Sequence, residues 1–289
     1  MTLPVTAVVV AYDSAHVLPA CLAALARDGV PAVVVDNASG DGSADLAERL
    51  GATVVRNARN EGFGRGVNAG VAAAATPYCL ITNPDLTYDP GAVAALLEAA
   101  ARWPDAGILA PRLIEPDGRF FWQHRSLLAP YLTNPRNVIA LPDGDCCAPF
   151  VSGASMLVSR DRFLDLGGFD PNIFLFYEDD DLCRRVADAG QAIVHVHDAV
   201  ARHVRGGSSS PRKGRTRRAR WHIAWSRAYV CRKWGLPDPT LALIRQNGPK
   251  WLLAALGGQG KLMERYGGIV AGAWAFRQGR TALEQEGLS

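Results

Sequence analysis

Through the first 110 residues, short runs of β-branched and aliphatic side chains alternate with longer runs of helical period. Residues 6–11 (TAVVVA) predict a strand, and AHVLPACLAALAR carries helical spacing at Val17, Cys21, Leu22 and Leu25. PAVVVDNAS predicts a second strand with turn residues behind it, SADLAERLG a helix that stops at Gly51, and ATVVRNA a third strand. GVNAGVAAAA then predicts a helix, YCLITN a strand and PGAVAALLEAAARW a further helix. Strands separated by helices of this length predict an α/β fold with a parallel sheet covered on both faces. Residues 111–150, richer in proline and aromatics, read as loops or an antiparallel extension. A second ordered block follows: a strand in SGASMLVSR, a loop in GGFDPNIFLF, a helix from about Glu178 to Ala189 closed by Gly190, and a strand in AIVHVH. From about Ser208 the pattern is of two or three helices rich in Arg and Trp, which divides the chain into residues 1–207 and a helical extension, 208–289. No internal repeat is visible.

In open α/β sheets, ligands bind beyond the carboxyl ends of the strands. The polar clusters Tyr12-Asp13, Asp36-Asn37 and Asn83-Pro84-Asp85 fall at those ends. Composition adds three constraints. The start, MTLPVTAVVVAYDSA, lacks the features of a secretory signal, and no run approaches the roughly 20 apolar residues of a membrane span, so a cytoplasmic protein is expected. The six cysteines form no C-x-x-C pair and read as reduced core fillers. The net charge of +3 hides an asymmetry: residues 199–237 hold eleven Lys/Arg and no acid, leaving 20 basic against 28 acidic residues elsewhere.

Hydride transfer and ATP hydrolysis lack their usual signatures. GFGRGVNAG has Val67 where the last glycine of a dinucleotide fingerprint belongs and follows the third predicted strand, and no phosphate loop of the G-x-x-x-x-G-K-[ST] type exists. The same segment can bind phosphate at a helix mouth or form a tight turn before a packed helix. Asp36, in VVVDNASGDGS, can accept the imide N–H of a uracil or thymine ring, or build an Asx-turn with Asn37. Asp85 suits either a hard divalent ion such as Mg²⁺ or Mn²⁺, completed by substrate phosphates, or a cap ahead of YDPGAVAALLEAA. FYEDDDLCRRVADAG sets four acids, Glu178 to Asp181, before a helix with an apolar stripe at Leu182, Val186 and Ala189. Acids complement the helix dipole and Asp181 can pair with Arg184 or Arg185, but four exceed that need, and a carboxylate in a partly apolar cleft suits a general base. His203 reads as a structural histidine or as a neutral metal ligand.

In this order, VVVAYDSAHVLPACLAAL, VVVDNASGDGS, RNEGFGRGVNAG, ITNPDL, SGASMLVSRDRFLDLGGFD, FYEDDDLC and HVRGGSS resemble the inverting family 2 glycosyltransferases, in particular bacterial rhamnosyltransferase-type members, over residues 5–210. The resemblance implies a GT-A fold, a Rossmann-like α/β/α arrangement with a mostly parallel central sheet, with residues 1–207 as the catalytic domain. It implies that Asp36 reads a pyrimidine base and that Asn60, Gly62 and Asn68 lie along the nucleotide and its diphosphate, with Ala11, Tyr12, Asp13 and Asn83 also at the nucleotide sugar. Asp85 would fill the last position of a metal-binding D-x-D motif, with His203 as a further ligand to Mg²⁺ or Mn²⁺. Asp179 would be the catalytic base, with Gly153, Glu178 and Asp180 on the acceptor side. Two positions depart from the common pattern: Asn83 replaces a first aspartate, and Asp13 stands where many members carry Asn. The implied donor is dTDP-rhamnose, then a UDP-hexose, and the implied acceptor a glycan, a lipid-linked sugar or a soluble natural product, in cell-wall, polysaccharide or glycolipid assembly.

Trp221, Trp225 and Tyr229 fall at i, i+4, i+8 spacing within PRKGRTRRARWHIAWSRAYVCRKWG. Such a stripe suits an interfacial helix on an anionic membrane surface, or a helix packed by its aromatics with solvated arginines. Nucleic-acid binding by this block is disfavoured by the acidic remainder. A sugar nucleotidyltransferase would need a glycine-rich basic loop after the first strand, where YDSAHVL stands. The oligomeric state is left open, a dimer included.

Overall fold

The computed structural model describes residues 3–123, 125–128, 141–204, 207–209 and 214–288. Its first half runs β1 (Val5–Ala11), α1 (Leu18–Arg27), β2 (Ala32–Asp36), α2 (Ser43–Arg49), β3 (Thr53–Arg56), α3 (Phe63–Ala73), β4 (Tyr78–Thr82), β5 (Leu86–Tyr88), α4 (Ala92–Arg102) and β6 (Ala106–Ile114). Then come β7 (Phe120–Phe121), β8 (Cys146–Cys147), β9 (Ser155–Ser159), α5 (Arg160–Asp165), α6 (Glu178–Asp188) and β10 (Ala192–His203). The chain ends with α7 (Arg215–Lys233), α8 (Thr240–Leu256), α9 (Gly260–Arg277) and the short α10 (Ala282–Gln285).

The strands form one sheet in the order β3-β2-β1-β4-β9-β6-β10-β5, with β7 on β6 and β8 on β10. The β3-β2-β1-β4 half is parallel, as the alternating pattern predicts, and β6 pairs parallel with β10. Two features depart from the expected parallel sheet. β9 runs antiparallel to both β4 and β6, and β5, absent from the sequence reading, runs antiparallel to β10. Three residues are too few to show a period of two, which is why β5 is invisible in the pattern. The expected antiparallel extension within 111–150 consists of the end of β6 with β7 and β8; residues 124 and 129–140 of that stretch lie outside the described residues.

Each face of the sheet buries its own core. Val5, Ala7, Val9 and Leu80 pack with α1 and α4 on one side, and Val8, Val10, Cys79 and Ile81 with α3, α5 and α6 on the other. A strand covered on both faces carries no polar alternation, hence the continuous VTAVVVA of β1. A Cβ on Gly66 would lie 2.9 Å from a Val10 methyl, and one on Gly70 would strike Val8. The glycines inside α3 therefore let the helix approach β1 closely, which accounts for them without a dinucleotide.

The C-terminal helices stack outward from this body. Trp221 and Trp225 are buried with Phe174, and Trp225 stacks on Tyr229 with ring centroids 5.2 Å apart. The aromatic stripe of α7 is therefore an inward-packing face, and the reading of it as an interfacial membrane helix is corrected. Helix α9 lies against α7, and α8 lies against α9 as the outermost layer, with only Thr240 and Ala254 buried. No helix among the described residues is long and apolar enough to cross a membrane. A Cβ on Gly272 would collide with the Trp221 carbonyl, so the α7–α9 contact is backbone against backbone. Gly272→Val gains a few tenths of a kcal/mol of helix propensity but overpacks this contact by roughly 1–3 kcal/mol. A net fall in unfolding free energy is expected in urea denaturation; unchanged stability would mean the helices are not in this contact.

Candidate functional site

A cleft of about 450 Å³ opens at the carboxyl ends of β1, β2 and β4. Tyr12, Asp13, Asn60, Gly62, Asn83 and Pro84 line it from the sheet side, and Phe174, Ser208, Arg215 and Arg218 from the other. Asp36 is buried beside it. Its Oδ2 accepts the Ser39 N–H at 3.1 Å, three residues on rather than the two of an Asx-turn, while Oδ1 is buried with no partner among the described residues. A local turn contact and an open acceptor oxygen thus share one carboxylate. Asp13 takes a left-handed φ of 52° and accepts the Gly40 N–H at 2.8 Å, tying the ends of β1 and β2 together.

The N-terminus of α3 is set by Gly62. Its φ of 89° is open to glycine, a Cβ there would collide with the Phe174 carbonyl, and its N–H donates to Asn60 Oδ1 at 2.9 Å. Two expected nucleotide contacts fall elsewhere. Asn68 spends both ends of its amide on the backbone of Phe169, at 2.8 Å each, and does not line the cleft. Ala11 is fully buried, and its carbonyl accepts from the Asn37 N–H at 2.9 Å.

Asp85 and His203 meet, although 118 positions separate them. The β5–β10 ladder sets Leu86 opposite His203, and the Val204 N–H donates to the Asp85 carbonyl at 3.0 Å. His203 Nε2 then lies 3.5 Å from Asp85 Oδ1, which also accepts the Ser208 hydroxyl at 2.7 Å. Asp85 Oδ2 is buried with no partner among the described residues. A buried carboxylate oxygen left open beside an imidazole fits a hard divalent cation. No group of three or more His, Cys, Asp or Glu able to hold a metal exists among the described residues, so phosphate and water would have to complete the shell.

Asp179 reaches this corner through the start of β9. The Gly153 N–H donates to Asp179 Oδ2 at 3.0 Å, and the next residue's carbonyl, Ala154, accepts the Asn83 N–H at 2.9 Å. One dipeptide therefore holds the acid helix at one end and the Asn83-Pro84-Asp85 corner at the other. Gly153 serves this junction, and a Cβ there would lie 3.3 Å from that of Asp179. Helix α6 is entered through Phe176 and Tyr177, both at φ 69°, two consecutive bulky residues in the left-handed region. Such strain persists only where surrounding contacts enforce it.

The four acids divide by environment. Asp181 is fully buried and structural: it pairs with Arg185 at 2.9 Å and Lys233 at 2.7 Å and accepts Trp234 Nε1 at 2.9 Å. Lys233 also reaches Asp170 at 2.7 Å, and against the upward pull of burial it holds that carboxyl below the ordinary range. Burial and the neighbouring Asp179 charge raise Glu178 well above the usual carboxylate range and push Asp180 up to about 7. Glu178 and Asp180 are buried, Asp180 against Ser126 at 3.3 Å, so neither faces an acceptor as expected from the sequence. Asp179 is half-buried; burial raises it too, while the Gly153 and Asp180 N–H groups favour its ionised form. Of the four acids it alone is partly exposed.

Arg215 and Arg218 belong to the cleft, a role the sequence did not single out within the basic block. Their i, i+3 spacing at the start of α7 places both on one face. Arg218 also pairs with Glu286 and lies over the Phe174 ring at 5.1 Å, while His222 Nε2 is 2.7 Å from the same glutamate.

The family model for "Glycosyl transferase family 2" matches residues 6–164, more than half of the chain. An N-acetylglucosaminyl-diphospho-decaprenol L-rhamnosyltransferase of Mycobacterium tuberculosis is 32% identical over 205 residues, covering 60% of this chain and 66% of that protein, just under two thirds of its length. An uncharacterized glycosyltransferase of the same organism is 44% identical over 87 residues, 30% of this chain and 39% of its own. Among solved structures, a mannosyltransferase of Pyrobaculum calidifontis in complex with GDP-Man and Mn²⁺ superposes with a TM-score of 0.61 at 19% identity, covering 95% of this chain and 87% of that one. GalNAc-T7 with UDP, GalNAc and Mn²⁺ gives 0.58 at 16%, covering 82% and 52%. At these identities the structural likeness speaks for the fold.

The acid cluster makes stability depend on pH. Asp180 titrates near its ordinary 3.8 when unfolded and at about 7 when folded, so the folded chain binds the proton more tightly. Its contribution is fully present below about pH 4 and is lost as pH rises through 7. Urea unfolding of Asp180→Asn between pH 4 and 7 should show a flatter loss of stability than the wild type; parallel profiles would place the titration elsewhere.

Proposed function

The chain belongs to glycosyl transferase family 2, and from that membership we propose that it moves a sugar from a nucleoside-diphosphate donor to a hydroxyl of a lipid-linked acceptor, with inversion at the anomeric carbon. The observation that carries this reading is the Gly153–Ala154 junction, which ties Asp179 through one dipeptide to the Asn83-Pro84-Asp85 corner, whose Asn83 and Pro84 line the cleft. The relative's name supports an L-rhamnosyl donor and a polyprenyl-diphosphate-linked sugar as acceptor. dTDP-rhamnose is the favoured donor and a UDP-hexose the next.

In this reading the open Oδ1 of Asp36 accepts the imide N–H of thymine or uracil, a contact that cytosine and adenine, whose corresponding ring nitrogen carries no hydrogen, cannot supply. The diphosphate lies toward Arg215 and Arg218, whose fixed charges oppose the negative charge that builds as the bond to the sugar breaks. Asp85 and His203 would hold Mg²⁺ or Mn²⁺, which when bound adds Lewis-acid stabilisation of the departing diphosphate. Asp179 takes the proton from the acceptor hydroxyl as it attacks the anomeric carbon from the opposite face, and its raised pKa brings it nearer the operating pH of such a base. Burial is what holds that pKa up, against the Gly153 and Asp180 N–H groups that favour the ionised form.

Asp179→Asn should abolish transfer and leave donor binding by calorimetry within a few-fold of wild type; near-normal turnover would remove Asp179 from the role. Asp85→Ala should cost about 10²-fold or more in kcat and abolish the metal dependence of donor binding. A metal titration that overlays the wild type would dismiss the Asp85–His203 site.

A further inference from the structure

The outermost helix ends in an apolar tip that the protein itself does not cover. Where α8 turns into α9, Trp251, Leu252, Leu253 and Leu256 are 42%, 55%, 68% and 79% exposed, and Leu262 across the turn is 36% exposed. Single exposed leucines need no explanation, but five large apolar side chains gathered where two helices meet do. Trp251 is seated on α9, where a Cβ on Gly267 would meet its indole at 2.9 Å, so the tip is held in a fixed shape. Lys250 and Lys261 bracket it and are exposed, as are Arg245 and Arg265 along the same two helices. Glu264 is the only acid from residue 240 to 277.

We infer that the tip of the α8–α9 hairpin is a docking surface for an anionic lipid bilayer, the leucines and Trp251 entering among the headgroups while Lys250 and Lys261 meet lipid phosphates. The pattern is that of an interfacial element, apolar tip with flanking basic residues, on helices too polar to span. Charge separates this occupant from a second copy of the chain. A two-fold contact through the tip would bring Lys250 and Lys261 of both copies around one small apolar patch, with only Glu264 to oppose them. The inference rests on the lipid-acceptor reading for its purpose, and it relocates the membrane contact from the buried stripe of α7 to the hairpin tip.

Three full-length proteins separate the outcomes: wild type, Leu252→Ser/Leu253→Ser/Leu256→Ser, and Lys250→Gln/Lys261→Gln. Each is co-sedimented with vesicles of phosphatidylcholine alone or with 30% phosphatidylglycerol, a composition chosen for negative charge, and assayed with a water-soluble, short-chain diphosphate-linked acceptor. Wild type is expected to partition onto the anionic vesicles and only weakly onto neutral ones. The leucine variant should lose about 10-fold or more in partitioning, and the lysine variant about 10-fold on anionic vesicles alone, with soluble-acceptor turnover unchanged in both. Absence of vesicle binding by a wild type that turns over the soluble acceptor would overturn the docking surface and leave the proposed function standing. Vesicle binding with this dependence but no transfer would support the surface and count against the function. A wild-type dimer in sedimentation velocity that the leucine variant converts to monomer, without vesicle binding, would reassign the tip to self-association.

Discussion

The site depends on one antiparallel pairing. Because β9 runs against β4, its first residues lie beside the last residues of β4, and the Ala154 carbonyl can take the Asn83 N–H. A parallel β9 would begin at the opposite edge of the sheet, about 17 Å away over five residues at the usual rise per residue. The reversal brings Gly153 to the carboxyl ends of the parallel strands, where it can also hold Asp179. The second reversal, β5 against β10, does the same for Asp85 and His203. Parallel strands give a cleft beyond their carboxyl ends, and two antiparallel strands bring Gly153, Asp85 and His203 to that end of the sheet.

Burial then assigns roles among like side chains. Four consecutive acids at one helix start could all serve the macrodipole, but the surroundings separate them: Asp181 is neutralised by Arg185 and Lys233, Glu178 and Asp180 are desolvated, and Asp179 keeps both a pair of N–H donors and partial exposure. The loop that feeds them is fixed from several sides, by Asn68 on Phe169, Arg185 on the carbonyls of Leu166 and Gly168, and Arg65 on that of Pro171. Those clasps supply the contacts against which Phe176 and Tyr177 are held at positive φ.

The parallel half of the fold was legible because buried strands and amphipathic helices of ordinary length leave their period in the sequence. β5, with three residues, left none, and the direction of β9 is not written in its own residues, since a strand buried on both faces looks alike in either sense. Asn60, Gly62 and Asn83 line the cleft, Asp36 and Asp85 are sequence neighbours of the lining residues Asn37 and Pro84, and His203 lies against Asp85. Asn68 does not line the cleft, because an amide that clasps backbone and one that meets a ligand are the same residue type. Arg215 and Arg218 were hidden among eleven basic residues, where spacing alone cannot say which face a helix will turn inward. The Trp221-Trp225-Tyr229 stripe shows the same ambiguity resolved by packing: an apolar face needs a cover, and the catalytic body provides it.

The Lys233 bridge bears on how such a chain can vary. Asp181 sits in the first turn of α6 with no exposure, and two of its partners, Lys233 and Trp234, arrive from the end of α7. A chain ending before α7 would strand that carboxylate with Arg185 alone, and one carrying a foreign tail without a cation at this position would do the same. Removing one partner of a buried ion pair costs several kcal/mol, a large part of a domain's whole stability. The helical extension is therefore not an interchangeable module: the end of α7 supplies the cation and the indole N–H that the buried carboxylate of α6 requires.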